Sequence, residues 1–157
     1  MEAISLAEND EKIADKVRSI VGDRGEVHLK GKRRIYIKTS KDVLLKVIKD
    51  VIDNMGETYV SAITGVELED TIRVYYHLWN IRSKVLLSFI IDLNKEAPEA
   101  PSLTSVIPGA MFHENEAYDL LGIKFTGHPN LHKHFLLPED TPSDFFPLRS
   151  NFKGGEK

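Results

Sequence analysis

Cysteine is absent from all 157 residues. That excludes disulfides, thiol nucleophiles, thiolate zinc sites and iron–sulfur ligation by this chain. Redox chemistry would have to come from a partner or a bound cofactor. Long apolar runs are also missing: none exceeds three residues, and those such as Val85-Leu86-Leu87 and Phe89-Ile90-Ile91 are strand material, far short of the ~20 residues a membrane helix needs. Phosphate-cradling loops are lacking, since Gly22/Gly25 and Gly154/Gly155 match neither GxGxxG nor GxxxxGK(S/T), and there is no GxSxG elbow. The acidic, amphipathic N-terminus has neither the basic start nor the apolar core of a secretory signal. A net charge of −3 gives no global pull toward nucleic acid or an anionic membrane. What remains is a cytoplasmic chain of one-domain size.

Its elements follow from period and punctuation. Ser5 with Glu8 forms a capping box, so a first helix starts near Leu6 and stops at Gly22. Alternation in Val27/Leu29 and Ile35/Ile37 around Lys30-Gly31-Lys32 predicts a hairpin over 26–38. Thr39 or Ser40 then caps a second helix, in which Val43, Val47, Val51 and Met55 recur every four residues until Gly56. Three strands follow: 58–66, with Gly65 at a turn or bulge, then 71–79 and 84–92. The second carries rings on both faces, so it is covered on both or meets a partner on one. Ser102 or Ser105 caps a third helix with Pro108 early in it and Gly122 as its stop. After Gly127 no regular element is predicted. The order implies an α+β fold with a mostly antiparallel sheet. Residues 1–127 form a single α+β domain, and 128–157 an extended C-terminal segment. Its aromatics Phe145, Phe146 and Phe152, set among prolines, must pack back on the domain or along a partner.

Chemistry-bearing residues concentrate between His113 and Asp140, which holds four of the six histidines and the acids Glu114, Glu116 and Asp119. A metal site could use His113, Glu116, His128 and His132. However, HENE is not HExxH, and surface carboxylates and loop histidines are common without metal. Acid–base catalysis by Glu114, Glu116 and Asp119 would need a cleft that pushes their pKa values apart. No Lys or Arg lies between Lys95 and Lys124, so a compensating cation must come from elsewhere in the fold or from another chain. Residues 30–49 hold eight Lys/Arg against one acid. This KGKRR hairpin lacks the aromatics of an RNA-binding strand and reads as a solvated or partner-facing patch.

One motif run is specific. Glu114-Asn115-Glu116-Ala117-Tyr118-Asp119, then Gly122-Ile123-Lys124-Phe125-Thr126-Gly127-His128-Pro129-Asn130-Leu131, then Leu136-Leu137-Pro138-Glu139-Asp140 resembles the signature of the thirty-kilodalton subunit family of respiratory complex I. That family extends to energy-converting membrane-bound hydrogenases. Its pattern is E-R-E-x-x-D, G-I-x-F-x-G-H-P-(D/N)-L and a basic pair before L-x-P-x-D. Asn115 replaces the Arg, and His132-Lys133-His134 stands at the Arg pair, so any ion pairs made there must differ. The short chain is similar to the compact form in hydrogenase-type complexes.

The resemblance implies a scaffold subunit with no cofactor in this chain and no nucleic-acid partner. It would pack on a large hydrogenase-like catalytic subunit and near an iron–sulfur small subunit, peripheral to the cytoplasmic side of the membrane. It also implies an interface built from Glu114, Glu116, Asp119, Gly122, Phe125, Gly127, His128, Pro129, Leu131 and Pro138. The three acids are expected to accept charge-assisted hydrogen bonds from partner Arg or Lys. Alternatives are the equivalent subunit of a quinone-reducing NADH dehydrogenase-type complex, or a free-standing metal enzyme.

Overall fold

The computed structural model describes residues 2–150, with side chains from residue 9 onward. In chain order the elements are α1 (Glu2–Val21), β1 (Gly25–Leu29), β2 (Arg34–Thr39), α2 (Leu44–Met55), β3 (Thr58–Glu67), β4 (Thr71–Asn80), β5 (Val85–Asn94), β6 (Glu99–Pro101), α3 (Ala110–Leu121) and β7 (Lys124–Thr126). Short 3-10 turns lie at Gly22–Arg24 and Leu103–Ser105. Five strands pair in the order β1-β2-β5-β4-β3, and β6 pairs with β7. The expected α+β class is correct and the large sheet is mostly antiparallel. Two pairings, β2–β5 and β6–β7, are parallel. No helix among the described residues is long and apolar enough to cross a membrane.

Two compact units divide the chain, one of Met1–Ala62 with Tyr75–Ile91, the other of Ile63–Val74 with Asp92–Lys157. In the first, α1 packs on α2 and on β1. Ala14, Val17 and Val21 on α1 and Leu44, Val47, Ile48, Val51 and Met55 on α2 are buried. Each such large aliphatic side chain contributes roughly 1.5–3 kcal/mol. Helix α1 begins at Glu2, before the expected start; the side chains of the Ser5/Glu8 capping box lie outside the described residues. Helix α2 begins at Leu44, and Val43 before it offers no side-chain cap. Neither Thr39 nor Ser40 caps it, because α2 starts only at Leu44; Thr39 instead ends β2, its hydroxyl donating to Arg24 O at 2.6 Å. Gly56 does end the helix, with φ 89° and its N–H on Ile52 O at 2.8 Å. Buried Asn80 then secures the exit, its amide donating to Thr58 Oγ1 (2.9 Å) and its Oδ1 accepting Ser83 N–H (2.8 Å).

In β4, Ile72, Val74, Tyr76, Leu78 and Asn80 are buried, while Arg73, Tyr75, His77 and Trp79 are half-buried. The second face is therefore partly covered, with Arg73 forked onto Asp92 (2.6 and 3.0 Å).

The second unit departs from expectation at two points. Gly65, expected at a turn or bulge, lies inside β3 and not at a turn, and a glycine is needed there because a Cβ would collide with Leu121 Cδ1. Ser102 caps the 3-10 turn and α3 starts only at Ala110. Pro108 disfavours helix in the residue before it, so one helix cannot run through from 102. Past Thr126 the described chain has turns but no helix or strand, as expected.

Candidate functional site

Helix α3 places Glu114, Asn115, Ala117 and Asp119 in the interior of the second unit. Three of these four are polar, and each is spent on backbone elsewhere in the chain. Asp119 Oδ2 accepts the N–H groups of Leu136 (2.8 Å) and Leu137 (2.9 Å), and Oδ1 accepts that of His134 (3.0 Å). Asn115 Oδ1 accepts His132 N–H at 3.1 Å. Glu114 turns the other way, accepting Leu103 N–H on Oε1 and Ser102 Oγ–H on Oε2, both at 2.6 Å. A segment without its own ladder must find partners for its amides. This helix supplies them.

The two carboxylates are pushed in opposite directions. Burial raises the Glu114 pKa to about 7, against the lowering effect of Ser102 and Leu103. Burial also works to raise that of Asp119, but the N–H groups of Leu136, Leu137 and His134, with Lys133 nearby, outweigh it and hold Asp119 below the usual carboxylate range. Such a split resembles an acid–base pair. Here, however, both side chains are wholly enclosed, and their bonds run to their own chain. The expectation that Glu114 and Asp119 face a partner's Arg or Lys is therefore corrected. The missing cation is Lys133, whose Nζ lies 3.5 Å from Asp119 Oδ1 and donates to Asp119 O (3.0 Å) and Phe145 O (2.8 Å). It also sits 4.1 Å above the Phe146 ring.

His128 is the turn's anchor. Its ring is fully enclosed. Nδ1 accepts Asn130 N–H at 3.0 Å, so Nε2 carries the proton and donates to Met111 O at 3.1 Å. Both nitrogens are thus engaged, with Glu114 Oε2 4.0 Å from Nε2. His132 and His134 donate through Nδ1 to Asn130 O (3.0 Å) and Pro138 O (2.7 Å). Gly122 ends α3 at φ 74°, in the left-handed region, with the Phe146 ring where a Cβ would be. Phe125 is buried opposite Ala100 in the β6–β7 pair, Gly127 has φ 86°, Leu131 is half-buried, and Pro129 and Pro138 are exposed. His113 and Glu116 are half-buried on α3. Among the described residues no group of three or more His, Asp or Glu could hold a metal ion.

Some site residues were not legible beforehand. Arg149 closes the segment, donating to Leu121 O (3.3 Å) and Lys95 O (2.8 Å) and lying 3.6 Å from Glu67. Glu67 also meets Lys95 at 2.6 Å and accepts from Ser150 through N–H and Oγ–H. Lys95, then Ser150, hold its pKa down to about 2 against a smaller upward push from burial. These partners are 28 to 83 residues apart, so no local pattern announces them. The outer face is different in kind. Phe112 is 58% exposed, stacks on Phe135 at 6.1 Å, and His132 meets Phe135 edge-on. Leu136 is 54% exposed.

Comparison with known proteins adds a consistent set of likenesses. The profile of the family described as "Respiratory-chain NADH dehydrogenase, 30 Kd subunit" matches residues 37–157. The chain is 35% identical over 121 residues to the C subunit of NADH-quinone oxidoreductase from Moorella thermoacetica, covering 73% of this chain and 80% of the relative. It is 30% identical over 123 residues to the C subunit of F(420)H(2) dehydrogenase from Methanosarcina mazei, covering 77% of each. In fold it is similar to a chain of the archaeal membrane-bound sulfane sulfur reductase, with a TM-score of 0.76 at 17% identity over 90% of this chain and 84% of that one.

Proposed function

This chain belongs to the respiratory-chain NADH dehydrogenase 30 kDa subunit family, and from that membership we propose that it is a non-catalytic scaffold in the hydrophilic arm of a membrane-bound, ion-translocating oxidoreductase. It packs on a large hydrogenase-like catalytic subunit, near a small subunit that holds an iron–sulfur cluster. It meets the cytoplasmic side of the membrane only through them. The parent complex is of the membrane-bound hydrogenase or related ferredoxin-dependent type.

The observation that carries this reading is the division of labour in the signature stretch. Its inner face is used up in holding residues 132–137, while its outer face leaves Phe112, His132 and Leu136 exposed. Exposed apolar and aromatic groups on a rigidly held segment suit an interface, not turnover. Glu116, Gly127, Pro129 and Pro138 belong to the same docking surface; Gly122, Phe125 and His128 shape it from beneath.

Affinity purification of the tagged chain from its own cell, followed by identification of what comes with it, tests the reading. A hydrogenase-like large subunit and an iron–sulfur small subunit are expected. A stable preparation without any large subunit would sink it. A second reading, a quinone-reducing NADH dehydrogenase-type complex, is favoured by the name of the Moorella relative. Hydrogen evolution against quinone reduction by the purified complex separates the two.

A further inference from the structure

The β1–β2 turn of the first unit is the run Lys30-Gly31-Lys32-Arg33-Arg34. Strand β2 runs parallel to β5, with Arg34 opposite Leu86 and Leu86 N–H on Arg33 O at 2.8 Å. This pairing brings the β4–β5 turn to the same end of the sheet and adds Arg82 and Lys84. Lys30, Lys32, Arg33, Arg34, Arg82 and Lys84 are all exposed. Among the described residues none of the six makes an ion pair, whereas Arg18, Arg24, Arg73 and Arg149 each lie against a carboxylate.

The two turns are also preset. Arg33 (φ 57°) and Lys84 (φ 55°) are left-handed, a conformation unfavourable for residues with long side chains. Buried Asp10 holds one turn by accepting Arg33 N–H at 3.0 Å, so the one acid bonded to the basic turn is spent on backbone. Asn80 holds the other through Ser83. Exposed Glu57 lies beside the second turn, its backbone carbonyl accepting Ile81 N–H at 3.1 Å.

We propose that this end of the first unit docks an acidic, extended segment of a neighbouring protein subunit. The proposal rests on the reading of the chain as a subunit and names a second contact, distinct from the signature surface. Free guanidinium forks match carboxylates two bonds at a time. A nucleic-acid track would need stacking rings among the cations, and these two turns carry none. A lipid surface would need an apolar face to insert. Ile81, 44% exposed, is the one exposed large apolar side chain of the two turns. It suits a single apolar contact flanked by acids.

The test uses the intact complex purified through the full-length chain and treated with a carbodiimide, which joins an amine only to a carboxylate in contact with it. Lys30, Lys32 or Lys84 is expected to couple to Asp or Glu of another subunit. The triple variant Arg33→Gln, Arg34→Gln, Arg82→Gln, folded by circular dichroism, should bind the complex at least about tenfold more weakly at moderate salt. If other subunits co-purify but the three lysines acetylate as fast as in the isolated chain, this docking site is wrong and the subunit reading stands. If the chain purifies alone, both are wrong. Binding of the isolated chain to phosphatidylglycerol vesicles or to single-stranded RNA, abolished in the triple variant, would replace the acidic segment with lipid or nucleic acid.

Discussion

Asp119 Oδ2 accepts the backbone N–H of Leu137 at 2.9 Å, across 18 residues. With Leu136 on the same oxygen and His134 on the other, one side chain of α3 does for this segment what a neighbouring strand does for an edge.

Replacing Asp119 with Asn swaps one acceptor oxygen for a donor that faces backbone N–H groups. The buried amides then lose their charge-assisted partner, at a cost of about 2–3 kcal/mol. Denaturant unfolding should show that loss. Hydrogen exchange should show it locally, with the amides of His134, Leu136 and Leu137 losing protection ahead of the rest.

Gly122→Ala puts a methyl group in a left-handed backbone and against the Phe146 ring. Backbone preference alone costs about 1–2 kcal/mol. The expected result is a lower Tm with the Phe145–Arg149 segment loosened. A second substitution, Phe146→Ala, should recover the steric part of the loss and not the backbone part.

The buried Glu114 gives stability an unusual pH slope. Its folded-state pKa, raised by burial to about 7 from an ordinary value of 4.5, means the folded chain holds a proton that the unfolded chain has released. The stabilisation is complete below pH 4.5 and is lost as pH rises toward 7. Urea titrations across that window should show a declining contribution to stability that Glu114→Gln abolishes. An unchanged slope in the variant would show that Glu114 is not its source.

Asp119 works in the opposite direction. Its pKa is held below the ordinary value, so its stabilisation is present above the ordinary carboxylate range and lost as acid takes the pH down through the folded value. Acid unfolding should begin at higher pH in Asp119→Asn than in the parent, monitored by near-ultraviolet circular dichroism.

His128, with both ring nitrogens already bonded, is not placed to ligate a metal. Purified chain should carry no stoichiometric zinc, manganese or iron by elemental analysis, and a chelator should leave its Tm unchanged. Stoichiometric metal would restore the enzyme reading.

The elements themselves were largely written in local pattern. The four-residue recurrence from Val43 to Met55, the glycines at 56 and 122, and the alternation through β4 each report short-range geometry, so α+β order and most boundaries could be read directly. Local reading failed where a distant group competed. Thr39 ends β2, with α2 starting only at Leu44, Gly65 is required inside β3 by Leu121, and Pro108 divides what looked like one helix.

The sequence by itself determined that cysteine ligands for a redox centre are absent, that residues 113–140 are the dense stretch, and that its motif resembles one family. Only the tertiary structure decided what those residues do. In a string of letters 114 and 119 are two acids on one helix; that three backbone N–H groups hold the Asp119 pKa down, while burial lifts that of Glu114 despite Ser102 and Leu103, depends on chain segments up to 18 residues away. The same holds for the basic hairpin, where parallel pairing of β2 with β5 adds Arg82 and Lys84 to a patch that the sequence scatters over 55 positions. Charge, burial and hydrogen bonding are properties of neighbours in space, and the fold chooses the neighbours.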